Sequence, residues 1–351
     1  MALLTAVLAA HVMADGCRAV FAQEPGASAT RTNPPGSTLS GPPWLRDPER
    51  VHDPSTIMTV DNVHRCFATG PGVVVMREDG AGKWQREGRV FSERQFPAWH
   101  DQMVPGNRGF LWAPDVIAID GQYFLYYSVS TFGKNTSAIG LAVGRTLDVS
   151  SPQWRWEDRG VVLASVKTNR FNAIDPAIFR DATNGSLWMI FGSFWDGIHL
   201  VELDAETGLR RQPDKAPLRL AFAPEIEAPF LHQRGGYYYL FVNWGKCCRG
   251  VDSTYEIRVG RSRTVTGPYL DRGGVDLRER GGTVVLASAD RWIGPGHASI
   301  HERGGREWLV HHYYDRDNNG RPRLRMVPVI WSGDGWPEIG PTEKPSGLGV
   351  K

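Results

Sequence analysis

The chain has 351 residues, which is long for one compact domain and short for two large ones. Hydrophobic residues make up 41% and charged residues 22%, a globular composition that excludes a disordered chain. The formal net charge is only +2, so charge alone predicts neither a nucleic-acid partner nor a membrane surface. The 40 glycines, 24 prolines and 13 tryptophans are typical of many turns between short aromatic strands.

The first 46 residues differ from the rest. Residues 1–22 contain an apolar run of signal-peptide length, too short to cross a bilayer, with small-residue cleavage sites ending at Ala14 and Ala22. They predict a secreted or periplasmic protein, although the usual basic start is missing; the alternative is a frayed apolar tail. Residues 23–46 are rich in Pro, Gly, Ser and Thr and predict a flexible linker. The folded domain is then expected over residues 47–345, and no later run reaches the ~20 apolar residues of a membrane helix.

Cysteine usage gives a weaker signal. Cleavage after Ala22 leaves Cys66 and the adjacent pair Cys247 and Cys248, too few for a disulfide framework. Adjacent cysteines either close a strained ring in an oxidising compartment or stay as two free thiols, and the sequence leaves both open. No His and Cys spacing indicates a zinc site.

An aromatic strand core recurs five times along the chain. The copies are NVHRCFATG (62–70), GQYFLYYSVS (121–130), GSLWMIFGSF (185–194), GGYYYLFVNW (235–244) and GREWLVHHYY (305–314). Their β-branched and aromatic residues are those that strands prefer, and four of the five open on Gly, as hairpins do.

Each core is preceded by a shorter strand and followed by a third, with a fourth in several copies. The preceding strands begin near Asp53, Asp115, Asp175, Glu227 and His297, at spacings of 62, 60, 52 and 70 residues. Five copies of such a meander, with almost no helical periodicity, predict an all-β, five-bladed β-propeller. A β-sandwich is the alternative, but it requires neither this period nor five similar hairpins.

The first strand of each propeller blade lines the central channel, so the five strand starts are expected to converge. Three of them are acidic: Asp53, Asp175 and Glu227. One Asp-Pro would be ordinary turn material, but three carboxylates at matched places indicate a shared axial site. Buried like charges push their pKa values apart, which suits either metal binding or acid–base catalysis.

Seven segments carry a family resemblance. They are VHDPS, LWAPDV, NAIDPAIF, GSFWDGI, EAPF, CCRGVDSTYEIRVGRS and GPGHASI. In this order, from about residue 48 to 340, the chain resembles the glycoside hydrolases of family 43, and within them the endo-acting α-1,5-L-arabinanases. The resemblance implies a five-bladed propeller and inverting hydrolysis of internal bonds of arabinan. An exo-acting arabinofuranosidase or β-xylosidase of the same family, or a carbohydrate-binding propeller without catalysis, are the alternatives.

The resemblance also assigns roles to the carboxylates. Asp53 matches the general base, Glu227 the general acid, and Asp175 the third carboxylate that keeps Glu227 protonated and oriented. Inversion places a water between base and acid, which then stand roughly 6.5–9.5 Å apart. Sequence alone does not say which carboxylate has which role, and no cofactor is expected for the catalytic step.

Three neighbouring residues have weaker assignments. Asp115 follows its proline and is either structural or adjacent to substrate, while Glu225 competes with Glu227 but does not match the family motif. By resemblance, His297 approaches an ion in the central channel, commonly calcium. One His is a thin ligand set, so waters would supply most of the coordination.

Aromatic residues near the strand ends are candidates for stacking on sugar rings. The substrate-binding candidates are Trp112, Phe132, Phe194 and Trp195, with Asn172, Ser193 and Asp115 as polar contacts. Phe194 or Trp195 could instead be blade packing. The expected partners are arabinan and arabino-oligosaccharides, with no nucleic acid and no membrane, and a monomer is the default.

Overall fold

A computed structural model of the chain describes residues 47–92 and 95–340. The predicted signal peptide (1–22), the predicted linker (23–46) and the last five residues of the predicted domain lie outside these ranges. Among the described residues, no helix has the length and apolar character needed to span a membrane.

The described residues form five antiparallel sheets, one for each blade: four sheets have four strands and one has five. The strands are β1 Met58–Val60, β2 Val63–Ala68, β3 Gly70–Pro71, β4 Val74–Glu78, β5 Trp84–Arg89, β6 Phe110–Ile119, β7 Gln122–Val129, β8 Ser137–Gly144, β9 Trp156–Ser165, β10 Ala177–Arg180, β11 Leu187–Phe191, β12 Ile198–Leu203, β13 Leu218–Ala221, β14 Ile226–Arg234, β15 Tyr237–Trp244, β16 Glu256–Ser262, β17 Thr283–Leu286, β18 Trp292–Arg303, β19 Arg306–Asp315, β20 Arg321–Trp331 and β21 Pro337–Ile339. Blade 1 is β1, β2, β4 and β5; β6 to β9, β10 to β13, β14 to β17 and β18 to β21 form blades 2 to 5, and the short β3 pairs with β6 as the fifth strand of the blade 2 sheet. The helical segments are α1 His100–Met103 and three 3₁₀ turns, Gly250–Asp252, Leu277–Glu279 and Arg316–Asn318.

This arrangement confirms the predicted five-bladed propeller. The five aromatic cores recognised in the sequence become the second strands β2, β7, β11, β15 and β19. The apolar side chains of these strands pack between blades: one cluster joins Phe67 of blade 1 to Leu125 of blade 2, and another joins Cys66 of blade 1 to Val310 of blade 5. Each blade therefore buries its faces against its two neighbours.

Blades 1 and 5 close the ring without sharing a strand, since every strand of blade 1 precedes residue 90 and every strand of blade 5 follows residue 291. Side chains and backbone join them instead. Val51 N donates to Pro322 O at 3.2 Å, and the Arg303 guanidinium contacts both oxygens of the buried Glu78 carboxylate at 2.9 Å.

One backbone conformation repeats at the start of every blade. We call the five residues that adopt it the lead residues: Asp53, Ala113, Asp175, Ala228 and His297, whose φ angles are 50°, 42°, 57°, 50° and 58°. In the first strands of blades 2, 4 and 5 a bulge follows this position. Left-handed backbone at a residue other than Gly is costly and persists only where its surroundings fix it.

The lead residues correct the sequence alignment of the blades. Asp115 and Glu227 were aligned with Asp53 and Asp175, but Ala113 and Ala228 occupy the equivalent positions. The bulges add residues between the left-handed position and the regular strand, and this offset is invisible to a count of spacings. Glu227 therefore precedes its lead residue, and Asp115 follows its own by two residues.

Every lead residue donates its backbone N–H to a side chain of the preceding blade. The acceptors are Thr69 Oγ1 for Ala113 (2.8 Å), Ser128 Oγ for Asp175 (3.0 Å), Asp175 Oδ2 for Ala228 (3.2 Å), Asn243 Oδ1 for His297 (2.9 Å) and His312 Nδ1 for Asp53 (3.1 Å). Four acceptors stand at the end of a second strand. In blade 3 the equivalent residue is Gly192, which has no side chain, so Asp175 accepts the hydrogen bond instead.

Replacing Asn243 by Ala should destabilise the protein. Asn243 is fully buried, and its Nδ2 also donates to Pro295 O at 3.1 Å. Its loss leaves the His297 N–H and the Pro295 carbonyl without their partner, at a cost of about 1–3 kcal/mol for the free energy of unfolding. Urea denaturation measures this, with the exposed Gln153→Ala as control. An equal change in both variants would contradict a stabilising role for this inter-blade bond.

Candidate active site

The carboxylate of Asp53 lies where blade 5 meets blade 1. Its Oδ2 accepts a hydrogen bond from Thr69 Oγ1 at 2.5 Å and is 2.8 Å from Nδ1 of the buried His52. Its Oδ1 is 3.5 Å from His312 Nδ1 and 3.7 Å from His297 Nδ1. Residues at the start of blade 1 thus hold one oxygen, and two histidine rings of blade 5 lie near the other.

Opposite effects act on the pKa of Asp53. Burial alone would raise it, but the charge of His52 and the hydrogen bond from His52 outweigh burial and hold the pKa of Asp53 well below its usual range. The same pairing acts on His52: burial alone would lower its pKa, and Asp53 raises it to about 10. Asp53 is therefore a carboxylate at neutral pH.

Asp175 is buried at the start of blade 3 and links two blades. Its N–H donates to Ser128 of blade 2, and its Oδ2 accepts the N–H of Ala228 in blade 4. Burial, followed by the charge of Asp53, raises the pKa of Asp175 to about 8. Asp175 thus lies directly beside the backbone that carries Glu227.

Glu227 is buried in β14, where it pairs with Asn243 across the blade. Its Oε2 accepts a hydrogen bond from Ser193 Oγ at 2.6 Å. Burial and the charge of Asp175 raise the pKa of Glu227 well above its usual range, and Asp53 adds to this effect. Glu227 therefore holds its proton at neutral pH and can donate it.

The structure brings the three predicted carboxylates into one electrostatic group and separates their pKa values. Asp53 is ionised, Glu227 is protonated, and Asp175 acts on Glu227 from close by. Two carboxyl groups with pKa values pushed apart are what a base and an acid require at one pH.

Metal binding in the central channel was predicted at His297. Burial lowers the pKa of this imidazole, so it is neutral and able to act as a ligand. A group of three residues at the same place, His52, Asp53 and His312, has one ligand atom each within 4.8 Å of one another. Calcium prefers six to eight oxygen ligands, and this set offers one carboxylate and two histidine rings, of which His52 is protonated at neutral pH. The described residues therefore do not fit a calcium ion held by protein ligands alone.

The polar neighbours divide into structural and site positions. Asp115 is buried, and its two carboxylate oxygens accept the backbone N–H groups of Thr56 at 2.9 Å and Ile178 at 2.7 Å, which favours the structural alternative. Glu225 pairs with Lys246 Nζ at 3.2 Å. Asn172 is buried, and its Oδ1 accepts from Ser137 Oγ.

The predicted stacking aromatics differ in exposure. Phe132 and Trp195 are exposed, at 56% and 42%, which is unusual for large aromatic side chains. Trp112 and Phe194 are half-buried; Trp112 precedes the lead residue Ala113, and Phe194 N donates to Ile226 O, one residue before Glu227. The two exposed rings are free to contact a ligand, and the other two lie close to the carboxylates in the chain.

Sequence reasoning missed several residues that hold the carboxylates. His52, Thr69, His312 and Tyr314 contact Asp53 directly or through one another. His52 is part of the VHDPS segment, but nothing in that segment indicates that the His52 ring pairs with Asp53. Thr69 lies directly after β2, and His312 lies near the end of β19. Only the hydrogen bonds between blades described above show that these positions support the next blade.

Comparisons with known proteins confirm the family resemblance. The profile of the family described as "Glycosyl hydrolases family 43" matches residues 48–337. The extracellular exo-α-(1→5)-L-arabinofuranosidase of Cellvibrio japonicus is 42% identical over 82% of this chain and 86% of its own length. The extracellular endo-α-(1→5)-L-arabinanase 1 of Bacillus subtilis is 39% identical over 84% of this chain and 89% of its own. The solved structure of Cellvibrio cellulosa α-L-arabinanase complexed with arabinohexaose superimposes with a TM-score of 0.78, at 40% identity, covering 84% of this chain and 96% of that one.

Replacing Asp175 by Asn should lower the pKa of Glu227, because Asn cannot ionise and the neighbouring charge that favours the Glu227 proton is removed. The titration is followed by NMR of the labelled glutamate carboxyl groups, with Glu227→Gln to assign the signal. The exposed Asp214→Asn serves as the matched control. An unchanged titration in Asp175→Asn would show that the charge of Asp175 does not raise this pKa.

Proposed function

The chain belongs to family 43 of the glycosyl hydrolases, and from this premise we propose that it cleaves internal α-1,5-L-arabinofuranosidic bonds of arabinan with inversion. The observation that carries the proposal is the pair of opposite pKa shifts at Asp53 and Glu227 beside Asp175. Two carboxylic groups in different protonation states are the working parts of a glycoside hydrolase.

Glu227 is the general acid of this mechanism. Its raised pKa keeps a proton that it delivers to the departing glycosidic oxygen as the bond breaks. The Ser193 hydroxyl at 2.6 Å fixes its Oε2. Burial keeps Glu227 protonated, and Asp175 raises the pKa of Glu227 further once its own carboxyl group, with a pKa of about 8, has ionised. The hydrogen bond that Asp175 accepts from Ala228 N holds the adjacent backbone.

Asp53 is the general base on the opposite side of the bond. Thr69 and His52 engage Oδ2, so Oδ1 is the oxygen available to accept a proton from the attacking water. Attack from the side opposite to the leaving group inverts the anomeric centre. The low pKa of Asp53 ensures that it is ionised wherever Glu227 is still protonated.

Arabinan is the proposed substrate because the relatives named above act on α-1,5-linked arabinose chains, by their names. The exposed Phe132 and Trp195 supply flat apolar faces on which furanose C–H groups can stack. Trp112 and Phe194 are the inner candidates, with Ser193 as a polar contact. Asp115 and Asn172, whose side chains already have buried partners, are assigned to support of the site.

Exo-acting hydrolysis is the second candidate. It is favoured by the Cellvibrio japonicus relative, which is named an exo-enzyme and is 42% identical to this chain. The two modes use the same acid and base and differ in whether the cleft admits a chain along its length. A β-xylosidase would need a substrate cleft of a different shape. A carbohydrate-binding propeller would carry Glu227 without using it as an acid.

The size distribution of products tests the function. Linear α-1,5-arabinan is incubated with the enzyme, and products are separated over time beside a nitrophenyl arabinofuranoside assay. Endo action gives an early fall in polymer length with mixed short oligomers, whereas arabinose or one fixed oligomer from the start means exo action.

Glu227→Gln should lower the rate by about 10²–10⁴-fold, because it removes the transferred proton. Exposed Gln153→Ala is the control, and a Glu227→Gln variant with full activity would disprove the assignment.

We further propose that a hydrated ion, calcium or another cation, contacts His297 in the channel, outside the steps above. The neutral His297 ring and the ionised Asp53 near it support such a site with mostly water ligands. Chelation by EDTA should lower the melting temperature of the enzyme, because an ion that binds only the folded state stabilises it. His297→Asn, whose side chain tolerates a left-handed backbone, should lose this response. No response in the unaltered enzyme excludes the ion.

The place of action and the assembly state complete the proposal. Two relatives are named extracellular, which supports export of this chain by the predicted signal segment. A monomer remains the prediction for the assembly.

A further inference from the structure

A second chemically reactive group lies beside the catalytic base. Cys247 and Cys248 occupy the loop between β15 and β16, are partly exposed and carry free thiols. Bonds on both sides hold the loop: Lys246 N donates to Thr254 Oγ1 at 3.0 Å, and Arg249 N donates to Ser253 Oγ at 3.1 Å.

A chain of contacts leads from this loop to Asp53. The N–H of Cys248 donates to Tyr314 Oη at 2.7 Å, and Tyr314 Oη is hydrogen-bonded to His52 Nε2 at 2.8 Å. The other ring nitrogen, His52 Nδ1, is 2.8 Å from Asp53 Oδ2. Cys248 Sγ itself is 3.9 Å from His52 Nε2. The peptide that joins the two cysteines therefore takes part in holding the base.

Adjacent cysteines cannot be bridged without moving this peptide. Neighbouring Cα atoms are about 3.8 Å apart, whereas bridged cysteines usually have Cα atoms about 4.4–6.8 Å apart. A bond between Cys247 and Cys248 is therefore strained and readily reduced, as in regulatory disulfides. The peptide that must turn to form this disulfide includes the Cys248 N–H group, which donates its hydrogen bond to Tyr314 Oη.

We propose that Cys247 and Cys248 are a redox modification site, closed by low-molecular-weight disulfides and reopened by thiols, which switches hydrolysis off and on. The Cys248 sulfur attacks one sulfur of the small disulfide RSSR, the S–S bond breaks, and RSH leaves with the proton. The Cys247 sulfur then displaces the second RSH from Cys248. The protein loses two hydrogens and two electrons, and RSSR becomes two RSH molecules.

Ring closure acts on catalysis through position. When the Cys248 N–H turns away, Tyr314 Oη loses a donor and is free to shift relative to His52, and His52 then no longer fixes Asp53. A base displaced by about 1 Å can cost on the order of 10²-fold in rate. The loss is expected in kcat, with KM changing little, because the base acts on water and the stacking aromatics are untouched. Tyr314 and Cys248 are thus positioning residues.

The experiment compares reduced enzyme with enzyme treated with oxidised glutathione. Intact-mass measurement and thiol titration after unfolding establish whether the ring has formed, independently of the substrate used. We expect loss of two hydrogens, a fall of kcat by about ten- to hundredfold, and full recovery with dithiothreitol. Cys247→Ala should keep the reduced activity and resist the oxidant.

Two further variants locate the effect. Cys66 is the matched control, since it is a free thiol buried in the core of blade 1; Cys66→Ala should stay as sensitive as the parent. Tyr314→Phe removes the hydroxyl that relays the change, so its reduced form should have a lower kcat and oxidation should add little.

Three results would overturn the proposal. The first is formation of the disulfide between Cys247 and Cys248 without a change in kcat. The second is failure of these two thiols to form that disulfide under the oxidant. The third is a Tyr314→Phe variant that loses as much activity on oxidation as the parent, because the effect would then bypass Tyr314 and His52.

Discussion

The structure depends on one hydrogen bond made five times, from the left-handed N–H at the start of each blade to a side chain of the blade before. Backbone in this conformation is strained, and each bond gives the strained residue a fixed partner. The same bond determines how each blade is set against its neighbour. The strained residues include Asp53 and Asp175, so the strain lies at reactive side chains, a common location for strain in enzymes.

One irregularity in this pattern explains the third carboxylate. Gly192 stands where the other blades carry an accepting side chain, and a Cβ there would meet Gly197 O at 2.3 Å. The Ala228 N–H is therefore left to Asp175, which must reach across to blade 4. The carboxylate that raises the pKa of Glu227 is thus also a structural element of the ring. The position of Asp175 is therefore held by the ring itself, through its hydrogen bond with Ala228 N.

The sequence was sufficient for the blade count and the second strands, because turn chemistry and aromatic periodicity are local signals. The three acidic residues that it singled out lie in one electrostatic group. The sequence was insufficient for the register of the first strands. Bulges displace Glu227 and Asp115 from the places that spacing assigned them, and a bulge leaves no mark in composition. The supporting residues were out of reach for a different reason. His52 and His312 are 260 residues apart, and their contact exists only once the ring has closed.

The contacts that close the ring between blades 1 and 5 also determine when, during synthesis, the surroundings of Asp53 can form. Asp53 precedes the strands of blade 1, yet His297, His312 and Tyr314, which surround it and its partner His52, belong to blade 5 and are made after the other four blades. A chain that stops short of blade 5 contains Glu227 and Asp175, but its Asp53 lacks these surroundings. We therefore expect no hydrolysis until blade 5 has been made and the ring is shut.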